Sequence, residues 1–103
     1  MSKSANTDHR QLRAIGHKLK PVVTVAGNGL SDGVVAELDR ALNDHELIKV
    51  KLSVGSREAR AATTREICER LGAQLIQSVG NIILVLRRSP KPDPRLSNLV
   101  RPL

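Results

Sequence analysis

The sequence predicts a single mixed α/β (α+β) domain in which a four-stranded sheet packs against helices. Three observations carry that expectation. Helical stripes of 3.6-residue period alternate with short β-branched runs, giving the order α-β-α-β-α-β-β. A chain of 103 residues builds one compact domain with room for a short tail. Its residues are 40% apolar yet include no Phe, Tyr or Trp, so the core must be wholly aliphatic.

The elements follow in order. Thr7 or Asp8 can cap a first helix running to about Leu19, with Leu12, Ile15 and Leu19 on one face. Pro21 ends it, and Val22–Ala26 is a short β-branched strand. Gly27-Asn28-Gly29-Leu30 turns the chain, and Ser31 is a good N-cap for a helix over 32–45. Val34, Val35, Leu38, Ala41 and Leu42 form that helix's apolar stripe, and Glu37, Asp39, Arg40 and Asp44 its polar face. Residues 47–54 then alternate, with Ile48, Val50, Leu52 and Val54 facing one way and Lys49, Lys51 and Ser53 the other. Gly55-Ser56 leads into a third helix over 57–71, stopped by Gly72. Gln74–Val79 and Ile82–Arg87 flank Gly80-Asn81, a pair suited to a tight antiparallel hairpin.

Crossover connections join the first three strands into one sheet, to which the hairpin adds an antiparallel edge. One face is expected under helices, the other partly open and carrying Lys49 and Lys51. The expected domain ends at residue 88. Residues 89–103, SPKPDPRLSNLVRPL, read as a mobile, proline-rich basic tail in which only Leu96, Leu99 and Val100 could dock.

Charge narrows the function. The chain carries 17 Lys and Arg against 10 Asp and Glu, a net +7, which points to an anionic partner. The excess is partitioned: residues 1–20 and 87–103 are each +4, whereas residues 21–46 are −4. Without aromatic side chains, base stacking of the kind used by RNA-recognition motifs and OB-folds is excluded. Nucleic-acid binding must rest on phosphate contacts, backbone amides, and Arg or His. The single Cys68 excludes an internal disulfide and reads as a small buried apolar side chain. The polar N-terminus and the lack of a long apolar run lead to the expectation of a cytoplasmic protein with no membrane partner.

Enzyme chemistry finds little support. The loop at residues 27–31 lacks the Gly-Lys-Ser/Thr of an NTPase, and Asp32 stands where a dinucleotide fold needs its third glycine. His9, His17 and His45 lie on different elements without metal-ligand spacing, and no nucleophile–base pair stands out. No catalysis, cofactor, metal or small-molecule substrate is expected. The glycine loop, which precedes a helix N-terminus, does suit a phosphate. Basic residues that could converge near it are Lys18 and Lys20 before the first strand, Lys49 and Lys51 on the second, Arg57 and Arg60 at the start of the third helix, and Arg87 and Arg88 closing the last strand.

The segment HKLKPVVTVAGNGLSDGVVAELDRALNDHELIKVKL, then SREA and GNIILVLRR, resembles the YhbY-like proteins, bacterial members of the CRM (chloroplast RNA splicing and ribosome maturation) domain family. The resemblance spans residues 10–88. It implies an RNA-binding domain similar to the C-terminal domain of translation initiation factor three, associated with precursors of the large ribosomal subunit. It also implies a Gly-x-x-Gly loop, similar to that of KH domains, falling on Ala26-Gly27-Asn28-Gly29, with Ala26 at the family's first glycine.

The expectation is therefore an RNA-binding, non-catalytic assembly factor acting on ribosomal RNA of large-subunit precursors, with ribosomal proteins as further partners. Gly27, Asn28, Gly29 and Leu30, with Lys18, Lys20, Lys49, Lys51 and Arg57, would hold the phosphate backbone. The alternative is a protein-interaction module using the acidic face of the second helix, with RNA binding incidental.

Overall fold

The computed structural model describes residues 9–27 and 29–100. Its elements are α1 (His9–His17), β1 (Pro21–Val25), α2 (Asp32–His45), β2 (Leu47–Leu52), α3 (Arg57–Leu71), β3 (Gln74–Val79) and β4 (Ile82–Leu86), the expected order. The expected cap at Thr7 or Asp8 lies outside the described residues.

The local signals act as chemistry requires. The Ser31 hydroxyl accepts from the Val34 amide, and the Ser56 hydroxyl from the Ala59 amide, capping α2 and α3. Gly72 ends α3 with φ 63° and ψ 36°, the left-handed turn that glycine adopts without a Cβ penalty. α2 ends differently. Glu46 takes φ 64° while its amide donates to the Leu42 carbonyl, an uncommon conformation for a residue with a side chain.

The strand order is β1-β2-β4-β3, with β1 parallel to β2 and β4 antiparallel to both neighbours. The hairpin adds the antiparallel edge expected of it, and it does so through β4, which pairs with β2 and leaves β3 outermost. Composition explains the choice. Ile83, Leu84, Val85 and Leu86 are all buried, so β4 is apolar on both faces and suits the interior of the sheet. β3, with Gln74, Gln77 and Ser78, tolerates an edge.

Both faces carry a core. On one, Val25, Val50, Leu52, Ile83 and Val85 pack with Leu38 and Leu42 of α2 and Ile67 and Leu71 of α3. On the other, Leu12 of α1 packs with Leu47, Ile76, Leu84 and Leu86. α1 comes so near the sheet that a Cβ on Gly16 would stand 2.5 Å from Leu84 Cδ2. It covers only part of this second face, and Lys49 and Lys51 emerge beside it, as the alternation of β2 requires.

The segment after β4 departs from the mobile-tail expectation. Ser97 and Asn98 are buried. The Ser97 hydroxyl donates to Glu46 Oε1 at 2.6 Å, the Ser89 amide to Glu46 Oε2 at 2.5 Å, and Asn98 Nδ2 to the Leu47 carbonyl at 2.7 Å. His45 Nδ1 donates to the Leu96 carbonyl, which can only accept, so that nitrogen carries the proton. Leu99 packs against the α1 cluster, whereas Leu96 and Val100 stay exposed. These anchors are mostly polar, which is why no apolar pattern announces them.

Candidate nucleic-acid interface

The glycine loop leaves β1 at the end where β2 also finishes. The Ser53 amide donates to the Val25 carbonyl, and the Leu52 amide to the Asn81 carbonyl. These bonds draw the β1–α2 loop, the start of α3 and the β3–β4 turn to one end of the sheet. Within the loop the Gly29 amide donates to the Ala26 carbonyl at 2.9 Å, and Gly29 has φ 82°. The Gly29 amide is thereby occupied by the turn. The left-handed residue is Gly29 and Ala26 has negative φ, so an alanine is accommodated there without strain. Gly27 is exposed, Leu30 half-buried against the α2–α3 core, and Asn28 lies outside the described residues.

The predicted cations fall into two groups. Lys51 pairs in register with Thr24, one residue before the Val25 at the end of β1, so it stands close to the loop. Arg57 opens α3 at the same end. Lys18 and Lys20 precede β1 and belong to the opposite end, separated from the loop by the five residues of β1, about 15 Å of strand. There Lys18, Lys20 and Lys49 line a cleft of about 300 Å³ with Val22, His45 and Asn98. Lys49 links the groups, because it lies two residues from Lys51 on the same side of β2, about 7 Å away. His17, Lys49 and Gln77 share a second cleft on this face.

Among the described residues, Lys18, Lys20, Lys49, Lys51 and Arg57 form no ion pair. The pairs present belong to Arg70 with Glu66, Arg87 with Asp39, and Arg95 with Asp93. Arg87 is therefore a structural residue rather than a member of the basic surface. Its guanidinium also donates to the carbonyls of Asp39 and Leu71 and to Asn43 Oδ1, tying β4 to α2 and α3. By engaging Asp39 it takes one carboxylate out of the acidic face of α2.

Sequence reasoning missed a groove of about 620 Å³ between α3 and β3. Arg57, Arg60 and Arg65 rim it, and Ala61, Cys68 and Leu75 lie along it. The helical spacing of Arg57, Arg60, Ala61, Thr64, Arg65 and Cys68 places them on one face of α3, a signal visible in the sequence. Cys68 is half-buried, and burial, with Glu69 nearby, pushes its thiol above the usual cysteine range. No group of three metal-ligating side chains occurs among the described residues, and none of their helices is long and apolar enough to cross a membrane.

The chain is similar to known proteins. The CRS1/YhbY (CRM) domain matches residues 5–87. "Probable RNA-binding protein PA4753" of Pseudomonas aeruginosa is 54% identical over 92 residues, which cover 89% of this chain and 88% of that protein. A Haemophilus influenzae protein named "RNA-binding protein" is 42% identical over 85 residues, 82% of this chain and 86% of that one. The solution structure of hypothetical protein SAV1595 from Staphylococcus aureus shares the fold, with TM-score 0.72 and 24% identity, covering 81% of this chain and 86% of that chain.

Proposed function

Since the chain belongs to the CRS1/YhbY (CRM) domain family, we propose that it binds RNA without catalysing a reaction, as an assembly factor on ribosomal RNA of large-subunit precursors in the cytoplasm. The observation that supports this most is the set of cations that enter no ion pair among the described residues. From Lys18 and Lys20 through Lys49 to Lys51, positive groups cross the open sheet face toward the glycine loop, and Arg57 stands at that same end of the sheet at the start of α3, on the other face. A strand of phosphates can follow that track and release its counterions into solvent. Loop amides other than that of Gly29 complete the contact at the start of α2, where the helix dipole also favours an anion. Without aromatic stacking, the track reads the shape and charge of RNA more than base identity. Ribosomal proteins are further partners in this reading.

Crosslinking in cells, followed by sequencing of the bound RNA, tests the proposal. Recovered fragments should concentrate in large-subunit ribosomal RNA and its precursors. A spread across messenger RNAs would refute the assembly role.

A further inference from the structure

The groove between α3 and β3 differs in kind from the lysine track. Along it Ala61, Cys68 and Leu75 present apolar surface, and Leu75 is 40% exposed on an edge strand. Around it Arg57, Arg60 and Arg65 place three guanidinium groups, none with an ion-pair partner among the described residues. An apolar floor with a cationic rim suits a ligand with a flat, poorly hydrated body and a charged backbone. The volume, about 620 Å³, lies in the range of pockets that enclose small organic molecules.

Resting on the RNA-binding reading above, we propose that this groove takes an unstacked nucleobase from a single-stranded segment, whose phosphates lie on Arg57, Arg60 and Arg65. Continuity selects this occupant over an acidic peptide. Arg57 rims the groove and also stands at the sheet end shared with the glycine loop, so one polyanion can pass from the lysine track round that end of the sheet into the groove, which lies on the α3 face. Guanidinium planes both pair with phosphate and stack on bases, which supplies the base contact that a chain without aromatic residues otherwise lacks. A duplex keeps its bases inside the stack and meets only the cations.

Cys68, the single cysteine of the chain, lies in the groove and reports its occupancy. Iodoacetamide alkylation of the intact protein is timed at mildly alkaline pH, because the raised thiol pKa leaves little thiolate at neutrality. Saturating single-stranded RNA should slow alkylation about five-fold or more, while a duplex of equal length, which supplies the same charge without a free base, should leave it within about two-fold. Ala61→Leu fills the groove from an exposed position on α3 with no change of charge. It should weaken single-strand binding by about five-fold or more and spare duplex affinity and its salt dependence.

Steep salt-dependent RNA binding with Cys68 unprotected and Ala61→Leu unchanged would overturn the groove proposal and leave the RNA-binding reading standing. Loss of all salt-sensitive RNA binding by the wild-type protein would remove that reading, and this one with it. Protection of Cys68 by an acidic, leucine-bearing peptide but not by RNA would assign the groove to a protein partner and likewise overturn it.

Discussion

The guanidinium of Arg87 grips Asp39 twice, through the carboxylate Oδ1 and through the main-chain carbonyl, each at 3.0 Å. The same group donates to the Leu71 carbonyl and to Asn43 Oδ1, so one side chain joins the end of β4 to α2 and α3. Arg87→Ala should therefore destabilise the fold by about 2–3 kcal/mol. Asp39→Ala should cost under about 1 kcal/mol, because the carboxylate is half exposed and the ion pair is screened. Urea denaturation of the two variants checks the difference. Equal costs would show that the pair, rather than the carbonyl contacts, holds the joint.

Lys49 and Lys51 can be removed with little effect on the fold, since neither is buried and neither is in an ion pair among the described residues. The double variant Lys49→Ala, Lys51→Ala should weaken RNA binding and flatten the plot of log K against log salt. The slope should fall by about 0.7 to 0.9 for each phosphate that is no longer neutralised. Filter binding between low and physiological salt measures it. An unchanged slope would move the RNA elsewhere on the molecule.

The loop glycines should respond differently to alanine. Gly29 has φ 82° with open space around it, so Gly29→Ala is strained in its backbone and not in its packing. It should lose about 1–2 kcal/mol of stability and some RNA affinity. Gly27 lacks positive φ and is equally open, so Gly27→Ala should stay within about 0.5 kcal/mol of wild type. Thermal melts of both proteins make the comparison.

Asn98 tests the anchoring of the C-terminal segment. Its side-chain amide donates to the Leu47 carbonyl in a buried position. Asn98→Ala leaves that carbonyl without this donor and should cost about 1–3 kcal/mol. Hydrogen exchange should rise along residues 96–100, with the sheet protected as before. Wild-type stability in this variant would show that the segment adds nothing to the domain.

Much of the fold is legible in the sequence because its signals are local. Ser31, Ser56 and Gly72 mark helix ends by their own chemistry, and β2 declares its open face through Lys49 and Lys51. The position of β4 depends on comparison between strands. Its continuous apolar run asks for burial on both faces, and the polar residues of β3 accept an edge, but neighbour-to-neighbour reasoning passes over that difference. Arg87 reads as one more surface cation until Asp39, Asn43 and Leu71 are seen to converge on it. The anchors at Ser97 and Asn98 meet partners about fifty residues away, so no window of sequence contains both halves. The groove is intermediate: its α3 face is periodic, but its second wall arrives with β3.

The central place of β4 also matters for the order of synthesis. The strand that fills the gap between β2 and β3 is the last to be made. While residues up to 80 have emerged, β2 and β3 each lack a neighbour and the hairpin cannot close. Long-range pairing of this kind delays folding and leaves strand edges open in the nascent chain. The Leu52–Asn81 bond, which draws the β3–β4 turn to the loop end of the sheet, waits for the same event. Closure of the loop end of the sheet is thus held back until Leu86 and Arg87 have been made, so the last strand synthesised is the one that completes the domain.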